Sequence, residues 1–95
     1  MSANTEQRVI VTVIGKDKVG IIAGVANVLT DAHANILDIS QTRLQEFLVM
    51  IMIADISQAK VEFTQLLEEL DRAGERIGVK ITAQREDVFN FMHRI

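Results

Sequence analysis

Residues 14–25 read Ile-Gly-Lys-Asp-Lys-Val-Gly-Ile-Ile-Ala-Gly-Val, or IGKDKVGIIAGV. The stretch joins two apolar patterns of different period. Before it, Arg8 to Ile14 (RVIVTVI) is rich in β-branched side chains, which suit a pleated strand. After it, Ile21, Ile22, Val25, Val28, Leu29 and Ala32 recur with helical spacing, which predicts a helix over 20–33. Asp17 stands just ahead of that helix, where a short carboxylate can cap free N–H groups.

Reading outward, the same order repeats. Ala34-Asn35 ends the helix, and Asn35 suits a left-handed terminating turn. Ile36 to Leu44 (ILDISQTRL) reads as a second strand, Gln45-Glu46 as a short hairpin turn, and Phe47 to Ala54 (FLVMIMIA) as a third strand. Ser57 can cap a second helix whose stripe is Phe63, Leu66, Leu67, Leu70, Ala73 and Ile77. Gly78 sits where that helix wants a left-handed terminator, and Val79 to Gln84 (VKITAQ) alternates as a strand with one wet face. Residues 1–7 are polar and expected to be a disordered N-terminus. One domain then spans 8–84. Residues 85–95 form a C-terminal helical tail, with Val88, Phe91, Met92 and Ile95 on one stripe.

Strand-helix-strand, twice, in so short a chain predicts an α+β fold. It is a ferredoxin-like βαββαβ sandwich, a four-stranded antiparallel sheet with two helices on one face and a short C-terminal helix. Strands 1 and 3 are then central, and they are the two most apolar strands. Helices cover only one face of such a sheet, yet strand 3 is apolar on both. A partner chain or the tail must cover the other, and an oligomer is expected.

The composition narrows the function classes. At 95 residues the chain has room for one domain, burying about 60–65% of its unfolded surface. The net charge of −3, with Lys and Arg scattered, argues against a nucleic-acid partner. No apolar run reaches the ~18 residues of a membrane span, and the start MSANTEQR has no signal core, so a cytoplasmic location and no membrane partner are expected. The absence of cysteine removes disulfides, thiolate nucleophiles and Cys-based metal sites together.

Gly15 and Gly20 have the spacing of half a phosphate loop, but Ile21 and Ile22 stand where Lys and Ser or Thr are needed. No dinucleotide fingerprint is present either. Two readings of the glycines stay open. Gly20, Ala23, Gly24 and Asn27 make a smooth strip that would let a neighbouring element approach closely. The same loop sets free helix N–H groups beside the sheet end, where they would suit a carboxylate. Lys16 and Lys18 could steer an anion there or simply be solvated. Asp31 and His33 form a D-x-H pair, but two ligands do not make a metal site, and none is expected.

The residues now described resemble a known family. Asp17, Gly20 and Ile21 in D-K-V-G-I, Asn35-Ile36 opening strand 2, D-I-S-Q at Asp38 to Gln41, and the tail V-F-N-F-M-H-R-I are similar to the ACT domains. The likeness runs from Arg8 onward and points to the stand-alone single ACT domain proteins. One departure is His33, where relatives often carry Gly; His tolerates a left-handed turn better than most residues. The resemblance implies a small regulatory module that binds an amino acid or related metabolite. Such domains commonly pair side by side into one eight-stranded sheet, with ligand at the dimer seam. Carried over, Asp17 takes the ligand's ammonium and the N–H groups near Gly20 and Ile21 take a carboxylate. Asn35 and Ile36 hold the ligand from across the seam.

Rivals lack parts. The acylphosphatases share this topology but place an arginine at the strand 1–helix 1 loop, and no arginine occurs between Arg8 and Arg43. No His is placed to activate Ser40 or Ser57, so catalysis is not expected. An RNA-recognition domain needs aromatics on its central strands, and strand 1 has none. The expected function is therefore a non-catalytic, allosteric regulatory module, a homodimer with a possible effector protein and no cofactor. The alternative is a protein-only adaptor using its apolar sheet face.

Overall fold

The β-branched runs form strands and the amphipathic stripes form helices in the computed structural model, which describes residues 7–87. In chain order these are β1 (Arg8–Lys16), α1 (Ile21–Asp31), β2 (Asn35–Leu44), β3 (Phe47–Asp55), α2 (Phe63–Ile77) and β4 (Lys80–Arg85). The strands make one sheet in the order β2-β3-β1-β4, every neighbouring pair antiparallel. The predicted sandwich is thus the fold, with β1 and β3 central. The expected tail stripe of Val88, Phe91, Met92 and Ile95 lies outside the described residues, as does nearly all of the N-terminal stretch.

The period of two decides which face of the sheet the helices cover. Val9, Val11 and Val13 of β1 stand opposite Ala54, Met52 and Met50 of β3. All six are buried, against Ile21, Val25 and Leu29 of α1 and Leu66, Leu70 and Ala73 of α2. Burying a side chain of this size stabilises by about 1.5–3 kcal/mol each, so a one-residue slip would be severely penalised. The other face carries Ile10, Thr12 and Ile14 from β1 and Val49, Ile51 and Ile53 from β3. No described element covers it. Ile14 is 48% exposed, Phe47 43% and Ile51 41%, so the apolar second face foreseen in FLVMIMIA is open over its Phe47 end among the described residues, whereas Ile10 is buried.

Helix ends follow local chemistry, with one correction. α1 closes with His33 at φ 62, its N–H bonded to the Thr30 carbonyl and that of Ala34 to the Leu29 carbonyl. This is a Schellman ending, with a non-glycine residue, His33, in the left-handed place. Asn35 is therefore the first residue of β2 and not the terminator. Gly78 ends α2 at φ 91, as its position foretells. Ser57 does not cap α2, which begins later, behind Glu62. Its N–H and hydroxyl instead bind the Asp55 carboxylate at 3.0 Å each. A serine beside an acceptor two residues back has a closer partner than a helix not yet begun. Among the described residues, no helix is long and apolar enough to cross a membrane.

Candidate functional site

β1 turns into α1 through Asp17, Lys18, Val19 and Gly20. The Asp17 N–H donates to the Glu46 carbonyl at 2.9 Å, which staples this loop to the β2–β3 hairpin. Gly20 is the first boundary residue of α1 at φ 94, and a Cβ built on it meets nothing within 4 Å. Glycine is needed there for its backbone angle and not for room. Gly24 is the opposite case: a Cβ there would run into Ile77 Cδ1 of α2. The close-packing reading therefore holds for Gly24 and not for Gly20. Gly24 lets the helices approach, and Gly20 makes the turn.

Asp17 does not cap α1. Among the described residues, no side chain caps the start of that helix. The Asp17 Oδ2 instead accepts a hydrogen bond from Arg43 Nε at 2.6 Å, a contact between residues 26 apart in sequence. This corrects two expectations: the cap, and the loop without a guanidinium. Arg43 reaches the loop because it stands opposite Leu48 on β3, which in turn stands opposite Gly15 at the end of β1. An ionised arginine is a stronger partner for a carboxylate than a helix N–H reached across a turn.

A cleft of about 190 Å³ lies between this loop and β2. Buried Ile21 and Leu48 are among its lining residues and supply apolar surface. Asp17, Lys18, Gln41 and Arg43 supply polar groups of both signs, while Gly20, Ile22 and Ala23 bring the start of α1 to its side. Lys18 is partly committed elsewhere, since its Nζ donates to the Ile77 carbonyl at the end of α2 at 3.1 Å. At the far end of the sheet a cleft of similar size is bordered by Gln7, Ile56 and the Arg8–Glu86 ion pair, 3.6 Å apart.

Of the expected site residues, the structure brings together Asp17, Gly20 and Ile21. It does not bring Asn35 and Ile36 to them within one chain. Asn35 stands opposite Asp55, which stands opposite Arg8, at the other end of the sheet. The eight steps from Asn35 to Arg43 span about 26 Å of strand. Arg43 is the polar lining residue that the sequence reading missed, while Gln41 closes the D-I-S-Q stretch already singled out. The signal for Arg43 is that Ile39, Gln41 and Arg43 share the helix-side face of β2, so polar groups replace an apolar one beside the loop.

Asp55 ends β3 much as Asp17 follows β1, but its carboxylate is spent inside the chain. Its Oδ1 accepts from the Gln7 N–H at 2.9 Å and from the Ser57 N–H at 3.0 Å, and its Oδ2 from the Ser57 hydroxyl. The Gln7 and Ser57 backbone donors hold this carboxyl below the ordinary carboxylate range. Among the described residues no group of three His, Cys, Asp or Glu stands together as a metal site, and Asp31 with His33 remains a pair.

Comparison with known proteins identifies the fold. The family profile of the ACT domain matches residues 7–84. A UPF0237 protein of Methanocaldococcus jannaschii is 54% identical over 88 residues, covering 93% of this chain and 98% of the relative. An ACT domain protein from Streptococcus pneumoniae superposes with a TM-score of 0.77 at 41% identity, over 87% of this chain and 93% of that one. A formyltetrahydrofolate deformylase from Pseudomonas syringae shares the fold alone, with a TM-score of 0.78 at 15% identity; the match covers 88% of this chain and 29% of that much longer one. Matched along nearly its whole described length, the chain belongs to the ACT domain family.

Proposed function

We propose that this protein is a non-catalytic regulatory module that binds an amino acid or a similar small metabolite at a homodimer seam. The observation that carries the reading is the cleft beside Gly20, where an acid, a guanidinium and an uncapped helix start meet over an apolar lining. Asp17 takes the ligand's ammonium, and the N–H groups at Gly20 and Ile21 favour its carboxylate. Strand directions support the seam. Two β2 edges paired antiparallel about a two-fold axis would set Asn35 and Ile36 of the partner subunit near the Arg43 end of the first strand. That pairing also satisfies a β2 edge whose residues are nearly all exposed. Ligand at the seam would bias dimer geometry or stability, and an effector protein in the cytoplasm would read the change. Neither nucleic acid nor membrane has a part in it.

The open face carrying Ile14, Phe47 and Ile51 favours a second reading, a protein-only adaptor whose apolar face recruits another chain. A thermal-shift screen against the common amino acids and close metabolites separates the two. A ligand at a hundred times its dissociation constant adds about 2.7 kcal/mol and moves the midpoint by roughly ten degrees or more. A single responder, lost in Asp17→Ala, supports the sensor. No response across the panel supports the adaptor.

A further inference from the structure

The Asp17–Arg43 pair leaves half of each partner unspent. Arg43 engages Asp17 through Nε alone, and Asp17 accepts through Oδ2 alone. A guanidinium has five N–H donors in a planar fork, and its two terminal NH₂ groups can hold a carboxylate in bidentate fashion. Among the described residues no other carboxylate takes those groups. Both side chains line the cleft, with Arg43 64% and Asp17 34% exposed, so neither is shut away from solute. One wall of the cleft thus offers an acceptor for a cation and a fork for an anion, held side by side by their own hydrogen bond.

We infer that Arg43 is a second carboxylate-binding arm beside the Gly20 and Ile21 N–H groups, in the same chain as the ammonium-binding Asp17, and that the ligand is a small α-amino acid read as a zwitterion. This rests on the amino-acid reading above and deepens it. The ligand's carboxylate lies across the Arg43 NH₂ groups and its ammonium on Asp17 Oδ1, without breaking the Nε–Oδ2 bond. Arg43 is held in place by that bond before ligand arrives, so less side-chain freedom is lost on binding than for a free arginine. The two charged partners are adjacent, which matches the α-ammonium and α-carboxylate of one carbon and fits a longer diacid or diamine poorly. The space is also small. The cleft holds about 190 Å³, room for a compact side chain over Ile21 and Leu48.

The test is calorimetric titration of the full chain with each common L-amino acid, its decarboxylated amine and its deaminated acid. L-alanine, ethylamine and propionate form one such set. The variants are Arg43→Gln, Arg43→Lys and Asp17→Asn. The expected result is that an amino acid with a small side chain binds the wild type, and both singly charged analogues bind at least tenfold more weakly. Arg43→Gln should weaken the amino acid at least tenfold, leave the amine's affinity unchanged and be partly rescued by Arg43→Lys. If an amino acid binds but Arg43→Gln costs less than tenfold, the assignment of Arg43 is overturned while the sensor reading stands. If no amino acid binds the wild type, both are overturned.

Discussion

Asp17 and Asp55 stand at matching points of the two halves of the chain, each where a central strand gives way to a helical connection. Their surroundings differ. Asp55 is ringed by donors from its own neighbourhood, the N–H groups of Gln7 and Ser57 and the Ser57 hydroxyl, so both its oxygens are committed to fixing the chain. Asp17 gives one oxygen to one exposed arginine and, among the described residues, has no backbone donor on its side chain. The first is a structural carboxylate, and the second is the one we propose for ligand. Equivalence in the fold does not imply equivalence in role, because the role depends on whether donors nearby have already been used.

The sharpest way to probe this contrast is to remove what lies under the cleft. Leu48→Ala takes a buried leucine from the core and from the cleft lining at once, and should cost about 2–5 kcal/mol, read as a lowered denaturation midpoint. A smaller loss would mean that the cleft end is not built on the core. Next comes Asp55→Ala, which leaves the Gln7 and Ser57 donors to water. It should cost roughly 1 kcal/mol in chemical denaturation while preserving any amino-acid response.

Acid should erase that second difference. The folded pKa of Asp55 is lowered, so its contribution is present at neutral pH and is lost as pH falls below about 4 through the lowered folded value. Midpoints of wild type and Asp55→Ala measured from neutral pH downward should therefore converge below about pH 4. Parallel curves would show that the donors do not act on the charged form. The smallest stability effect belongs to Asp17→Ala. Its ion pair is exposed, and the change should stay within about 0.5 kcal/mol while abolishing the amino-acid response. A large loss of stability in Asp17→Ala would break the comparison, since Asp17 would then be structural too.

The parts of the site that could be read in advance are those built by neighbours in sequence. The Asp17–Gly20–Ile21 turn follows from a β-branched run, a positive-φ glycine and a helical stripe within a few residues of one another. Ser57 misled for the same local reason, because a serine in that position can satisfy Asp55 as readily as a helix end. Asn35 and Ile36 were drawn from the resemblance, and one chain leaves them at the opposite end of the sheet from Asp17.

The amino-acid sequence by itself determined the order of elements, the central place of β1 and β3, and the corners at Gly20 and Gly78. These rest on short-range periodicity, β-branching and the few residues that tolerate left-handed backbone. Only the tertiary structure decided that Arg43 meets Asp17, that Gly24 serves packing against Ile77, and that the sheet's second face is open over its Phe47 end among the described residues. Each depends on strand register and on how a helix lies against its neighbour, set by burying the whole core at once. No local pattern encodes such pairings between residues far apart in the chain.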